Sequence, residues 1–142
     1  MAYTIGQMAE KLGLTASALR YYEKEGLLPF VERTPGGTRI FHDADMSWFR
    51  VIDCLKKTGM PLKDIKRFID WTLEGDATVP DRLALIGEQR RRVEEQIDEL
   101  EQKLEFLRYK EWYYTVAREA GTVRAVEDVP LDEMPEQFRK FR

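Results

Sequence analysis

Cys54 and His42 are the only cysteine and the only histidine among 142 residues, and this scarcity removes several chemistries. One thiol gives no internal disulfide, and one thiol with one imidazole cannot assemble a Cys/His zinc site. His42 stands in Thr38-Arg-Ile-Phe-His-Asp-Ala-Asp45, away from any glycine-flanked serine, so a Ser-His-Asp triad has no seat. The nine glycines are scattered, and only Gly36 and Gly37 adjoin, so no phosphate-cradling loop is present. The expectation is a non-enzyme without metal or cofactor.

The remaining reactive types are cations and hydroxyls suited to duplex DNA. Arg20 and Tyr21, with Ser17, fall on one side of a short helix, where an arginine fork can meet guanine and hydroxyls can meet phosphate. The bland alternative is an exposed face with an Arg–Glu pair. Tyr22 is a core position by spacing, although its hydroxyl could still reach a phosphate. Arg33, Thr38 and Arg39 surround Thr34-Pro35-Gly36-Gly37, a turn narrow enough to approach a groove. Lys63, and with it Lys56, Lys57 and Lys66, could add phosphate contacts or simply be solvated. Cys54 has two readings: a small buried hydrophobe, or a thiolate sensor favoured by Arg50 one turn before and Lys57 one turn after.

The chain pattern supplies elements to hold these residues. Thr4 can cap a helix bearing Ile5, Met8, Ala9 and Leu12, and Gly13 can end it. Thr15 can cap a second, with Ala18, Leu19 and Tyr22 inward, ended by Gly26. Two short helices across a glycine turn form a helix-turn-helix. Phe30-Val31 and Thr38-Ile40-Phe41 flank the Pro-Gly-Gly turn as a small hairpin. Asp43 or Asp45 opens a third helix with Trp48, Phe49, Val51, Ile52 and Leu55. Pro61 opens a fourth burying Leu62, Ile65, Phe68, Ile69 and Leu73.

Beyond about Pro80 a long helix is predicted. Alternate steps of three and four pass through Leu83, Ile86, Arg90, Val93, Ile97, Leu100, Leu104 and Leu107, apolar at every step but Arg90. So narrow a stripe is buried by self-association. Tyr109, Trp112, Tyr113 and Tyr114 follow. They could line a pocket for a small apolar ligand, or pack against helices three and four of a partner through Trp48, Phe68 and Trp71, the reading favoured here. Charge is uneven: residues 1–70 hold 11 Lys/Arg and 9 Asp/Glu, residues 71–142 hold 12 and 17. A net of −3 and a pI near 5.4 thus conceal a mildly basic N-terminal half. Mean hydropathy is −0.52, with no membrane-length apolar run and no secretory leader pattern at the start, so a cytoplasmic location is expected.

Thr4-Ile5-Gly6-Gln7, Leu14-Thr15, Leu19-Arg20-Tyr21-Tyr22-Glu23 and Gly26-Leu27-Leu28 are followed by Arg33, Arg39-Ile40-Phe41, Asp45 and the pair of helices from Leu55 to Ile65. This order resembles the MerR family of bacterial transcription regulators over residues 3–75. Cys54 followed by Lys-Lys-Thr-Gly-Met, with Glu74-Gly75-Asp76, is most similar to the thiol-dependent NmlR/AdhR-type branch, linked to aldehyde and nitrosative or carbonyl stress. The coiled-coil end carries no cysteines, unlike metal-sensing or iron–sulfur members.

The resemblance implies a mainly α fold with a winged helix-turn-helix DNA-binding domain at 1–75, an antiparallel coiled-coil dimerisation helix at 76–120 and a short tail at 121–142. It implies a homodimer that binds double-stranded promoter DNA beside RNA polymerase and distorts an overlong spacer in response to an electrophile or oxidant. The alternatives are a regulator of the same fold that senses an apolar ligand through the aromatic group, and a thiol-reactive or adaptor protein that does not bind DNA.

Overall fold

In a computed structural model all 142 residues are described, and they divide into two compact units, Met1–Arg91 and Arg92–Arg142. The first begins with β1 (Ala2–Tyr3) and α1 (Ile5–Leu12). Thr4 starts α1 with a reciprocal cap: its hydroxyl accepts from the Gln7 amide at 3.2 Å, and the Gln7 side chain accepts from the Thr4 amide at 2.9 Å. Gly13, at φ +70°, turns the chain out of α1. Thr15 caps α2 (Ala16–Lys24) through the Ala18 amide at 3.1 Å. Leu19 and Tyr22 are the residues α2 buries.

The wing consists of β2 (Glu32–Arg33) and β3 (Arg39–His42), antiparallel, with Arg33 opposite Arg39. Its turn closes by a Gly37 amide to Thr34 carbonyl bond of 2.9 Å, with Gly37 at φ +85°. Sequence pattern missed β1, which pairs with the other edge of β3 through Ala2–His42 and Tyr3–Phe41. Two residues are too few to show an alternating pattern. The pairing depends on a strand about forty residues away, secured by the Tyr3 hydroxyl donating to Asp43 at 2.7 Å.

A short turn at Asp43–Asp45 leads into α3 (Met46–Lys57), and Pro61 precedes α4 (Leu62–Glu74). The core of this unit gathers Met8, Leu19, Leu27, Phe41, Ile52, Ile65 and Ile69, all essentially inaccessible to solvent. At about 1.5–3 kcal/mol for each large apolar side chain, this burial is what holds such short elements together. Two expected core positions lie outside it: Val51 is exposed, and Leu73 is 49% exposed on the last turn of α4. Trp48 stacks on Phe30 within the unit, with ring centroids 5.1 Å apart.

The helix α5 runs from Val79 to Ala120. Its first turns, up to Arg91, fall in the N-terminal unit. Leu85 joins the core, and the buried Gln89 amide donates to the Thr58 carbonyl at 2.9 Å. Period alone cannot show which neighbour an apolar helix face meets. In the second unit α6 (Arg124–Glu127) and two further turns, Leu131–Glu133 and Glu136–Phe141, fold the last residues back.

The folded tail corrects the expectation for the aromatic group. Tyr109, Met134 and Phe138 form a second core, flanked by Trp112, Tyr113, Val129 and Phe141. Tyr109 stacks on Phe141 at 5.1 Å, and Phe138 meets Tyr109 and Trp112 at 5.9 Å. The Arg142 guanidinium donates to the carbonyls of Val126 and Val129, and that of Arg139 to Asp132 and Met134. Tyr109, Trp112 and Tyr113 therefore pack against their own chain, whereas Tyr114 stays exposed. A tail already tethered to α5 needs no bimolecular encounter to find them.

Candidate nucleic-acid interface

The outer side of α2 presents Ser17, Arg20, Tyr21 and Lys24 to solvent, because Leu19 and Tyr22 take the inner positions of the same two turns. Tyr22, included among the DNA-contacting candidates on sequence, lies in the core at 4% exposure. Its hydroxyl accepts from Lys56 Nζ at 3.1 Å. That hydrogen bond holds the Lys56 ammonium above its ordinary pKa and fastens α3 to α2. Lys63 is exposed on the first turn of α4. Lys66 is engaged with Asp70 at 2.7 Å and lies across Gly26.

The wing is tied to α2 through Glu23. One carboxylate oxygen, Oε1, accepts from the guanidinium of Arg33 and, at 2.8 Å, from that of Arg39. Residues directly opposite on an antiparallel pair point to the same face, so both arginines reach the same acid. Partial burial works to raise the Glu23 pKa. The hydrogen bonds from Arg39 and Arg33 outweigh it and hold the carboxyl below its ordinary value. Arg33 remains about half exposed and Arg39 about one-third. Thr38 is exposed beside the turn, its amide held by the Thr34 hydroxyl at 3.1 Å.

Sequence reasoning had Glu23 inside its quoted motif without assigning it work. A signal was available: an acid in the last turn of a helix faces the negative end of the helix dipole and gains from a cation supplied elsewhere.

Cys54 is exposed on α3, which removes the reading of a small buried hydrophobe. The neighbouring Lys57 ammonium is committed to Asp53 at 2.9 Å, and that bond raises its pKa. His42 bonds Glu32 across the wing at 2.6 Å. No group of three or more His, Cys, Asp or Glu residues is arranged to hold a metal ion. No helix is long and apolar enough to cross a membrane.

Residues 3–70 match the family described as MerR HTH family regulatory protein, and residues 47–108 match the family described as MerR, DNA binding. An uncharacterized HTH-type transcriptional regulator of Haemophilus influenzae is 47% identical over 136 residues, covering 96% of this chain and 98% of its own length. The regulator AdhR of Bacillus subtilis is 36% identical over 89 residues, covering 63% of this chain and 64% of its own. Among solved structures, HiNmlR, a MerR family regulator lacking the sensor domain and bound to promoter DNA, is similar at a TM-score of 0.68. The two are 48% identical, with 88% of this chain and 99% of that chain covered.

Proposed function

This chain belongs to the MerR family of helix-turn-helix regulatory proteins, a family of transcriptional regulators rather than enzymes, and from that premise we propose how it engages DNA and its own second copy. It is a DNA-binding transcriptional regulator. Two modules, one per subunit of a cytoplasmic homodimer, read two half-sites of a promoter. Arg20 and Tyr21 with Ser17 meet base edges and phosphates in the major groove, while Arg33, Thr38, Arg39 and Lys63 meet flanking backbone. The observation that carries this reading is the pairing of an exposed α2 face with a wing fastened to that same helix by Glu23.

Dimerisation is supported by the state of the α5 stripe. Leu83, Ile97, Leu100 and Leu107 are 53–70% exposed in the protomer, Ile86 and Leu104 about 40%, and Val93 is half-buried. An antiparallel pairing would cover them. The 25-residue stretch from Leu83 to Leu107 spans roughly 37 Å at ~1.5 Å per residue, close to one turn of DNA. The dimer sits beside RNA polymerase and acts by deforming the spacer between the half-sites, a work term that duplex deformability makes affordable.

The signal we assign is an electrophile or oxidant at Cys54. Its exposure lets a reagent reach the sulfur without unfolding α3. The alternative of an apolar effector at the aromatic group is disfavoured, because Phe138, Phe141 and Met134 already pack against Tyr109 and its neighbours Trp112 and Tyr113. Footprinting and gel shift on the DNA upstream of its own reading frame, at stated salt, test DNA recognition. Absence of a protected two-fold site would reject it. Transcription from that promoter with Cys54→Ser against the unmodified protein, with and without an aldehyde, tests the signal: an equal response in both removes Cys54 from it.

A further inference from the structure

Glu23 is an acid on the element that faces phosphate, and on the reading above that is a cost. Its side chain is 14% exposed, and its carboxylate leaves α2 to take both wing arginines on one oxygen. Arg33 and Arg39 are cross-strand partners, close enough to repel each other without a counter-charge. With Glu23 between them the trio carries a net +1 instead of +2. Arg39 Nε is buried with no acceptor, so this guanidinium lies where Glu23 holds it rather than where all its donors would be satisfied. One carboxylate oxygen thereby links both wing strands to α2.

We propose that Glu23 is a positioning residue for DNA specificity, which restrains Arg33 and Arg39 from indiscriminate phosphate contact and couples the wing to base reading by α2. The inference rests on α2 and the wing facing duplex DNA. In this arrangement the wing cations reach backbone only when α2 is seated. A duplex that α2 does not fit gains little from them. Without the carboxylate the two guanidiniums are free to follow any phosphate, and the protein becomes a stickier, less selective binder.

Glu23→Gln keeps the side-chain shape and removes the charge. The full-length protein is titrated by fluorescence anisotropy against the footprinted upstream duplex and against a scrambled duplex of the same length, over a salt series. For Glu23→Gln, scrambled DNA should bind about three- to tenfold tighter at low salt, with the salt slope steeper by about one to two ions. The ratio of footprinted to scrambled affinity should fall about tenfold. Glu23→Asp, which keeps the charge, should retain the original slope. Arg33→Gln, which leaves the acid intact, should barely change scrambled binding, because that cation is already withheld.

An equal loss of affinity for both duplexes with an unchanged slope would overturn the proposal and reduce Glu23 to a fold contact. A full one-ion loss of slope in Arg33→Gln on scrambled DNA would do the same. Failure of the underlying reading is distinguishable, since the unmodified protein would then show no preference between the duplexes. That result would bring the proposal down as well.

Discussion

Arg20 and Glu23 lie three positions apart on α2 and illustrate two fates for charge on one helix. Arg20 faces solvent, whereas Glu23 is turned toward Arg33 and Arg39. Arg20→Ala should therefore weaken binding to the footprinted duplex by about 1–3 kcal/mol, the value of a bidentate base contact, with far less effect on scrambled DNA. Anisotropy at one fixed salt concentration checks this, and unchanged affinity would exclude base reading by Arg20. Glu23 also predicts a pH dependence. Its pKa is lower in the folded chain than in the unfolded one, so the clamp's contribution to stability is complete above the ordinary value of 4.5 and is lost as pH falls through the folded value. The difference in melting temperature between the unmodified protein and Glu23→Gln should stay constant from about pH 8 to 5.5 and close only in stronger acid. A gap that closes near neutrality would contradict the assignment.

The elements of the N-terminal unit are short, and their boundaries are set by particular residues. Thr4, Thr15 and Gly13 mark the first two helices where the sequence placed them. The joint between α4 and α5 is less obvious. Gly75 takes φ +106° and ψ −164°, a region essentially closed to residues with a Cβ, and its carbonyl accepts from Thr78 at 2.8 Å and Arg82 at 3.0 Å. A Cβ added there would meet nothing within 4 Å, so the cost of Gly75→Ala is backbone strain alone. Thermal or urea unfolding should show a loss of about 1–3 kcal/mol. A neutral substitution would mean that the joint relaxes into another conformation.

For the molecule as a whole, the decisive feature is an apolar stripe that its own chain leaves uncovered along α5. Leu100, 62% exposed, sits near the middle of that stripe. In a two-fold pairing each substitution acts twice. Leu100→Asp removes about 1.5–3 kcal/mol of apolar burial per subunit and places two carboxylates in the seam, so sedimentation should shift from dimer to monomer or show unfolding. A unmodified protein that sediments as a folded monomer at micromolar concentration would overturn the dimer itself. The second core around Tyr109 belongs to this scale too, since it ends the long helix with a packed cap made from the last residues of the chain.

The amino-acid sequence alone determined the helix-turn-helix, the wing turn and the long helix, because caps, glycines and a 3.6-residue period are local signals that neighbouring residues read from one another. It also determined the family, through Leu19-Arg20-Tyr21-Tyr22-Glu23 and its surroundings. Tertiary structure decided what local pattern cannot encode. The pairing of β1 with β3, the docking of Phe138 on Tyr109 and the exposure of Cys54 each depend on which distant segment arrives at a surface. The same holds for Glu23: its type and place on α2 were legible, but its partners stand 10 and 16 residues away on strands whose register only folding sets. Spacing along one element predicts a face; what covers that face is settled by the packing of the whole unit.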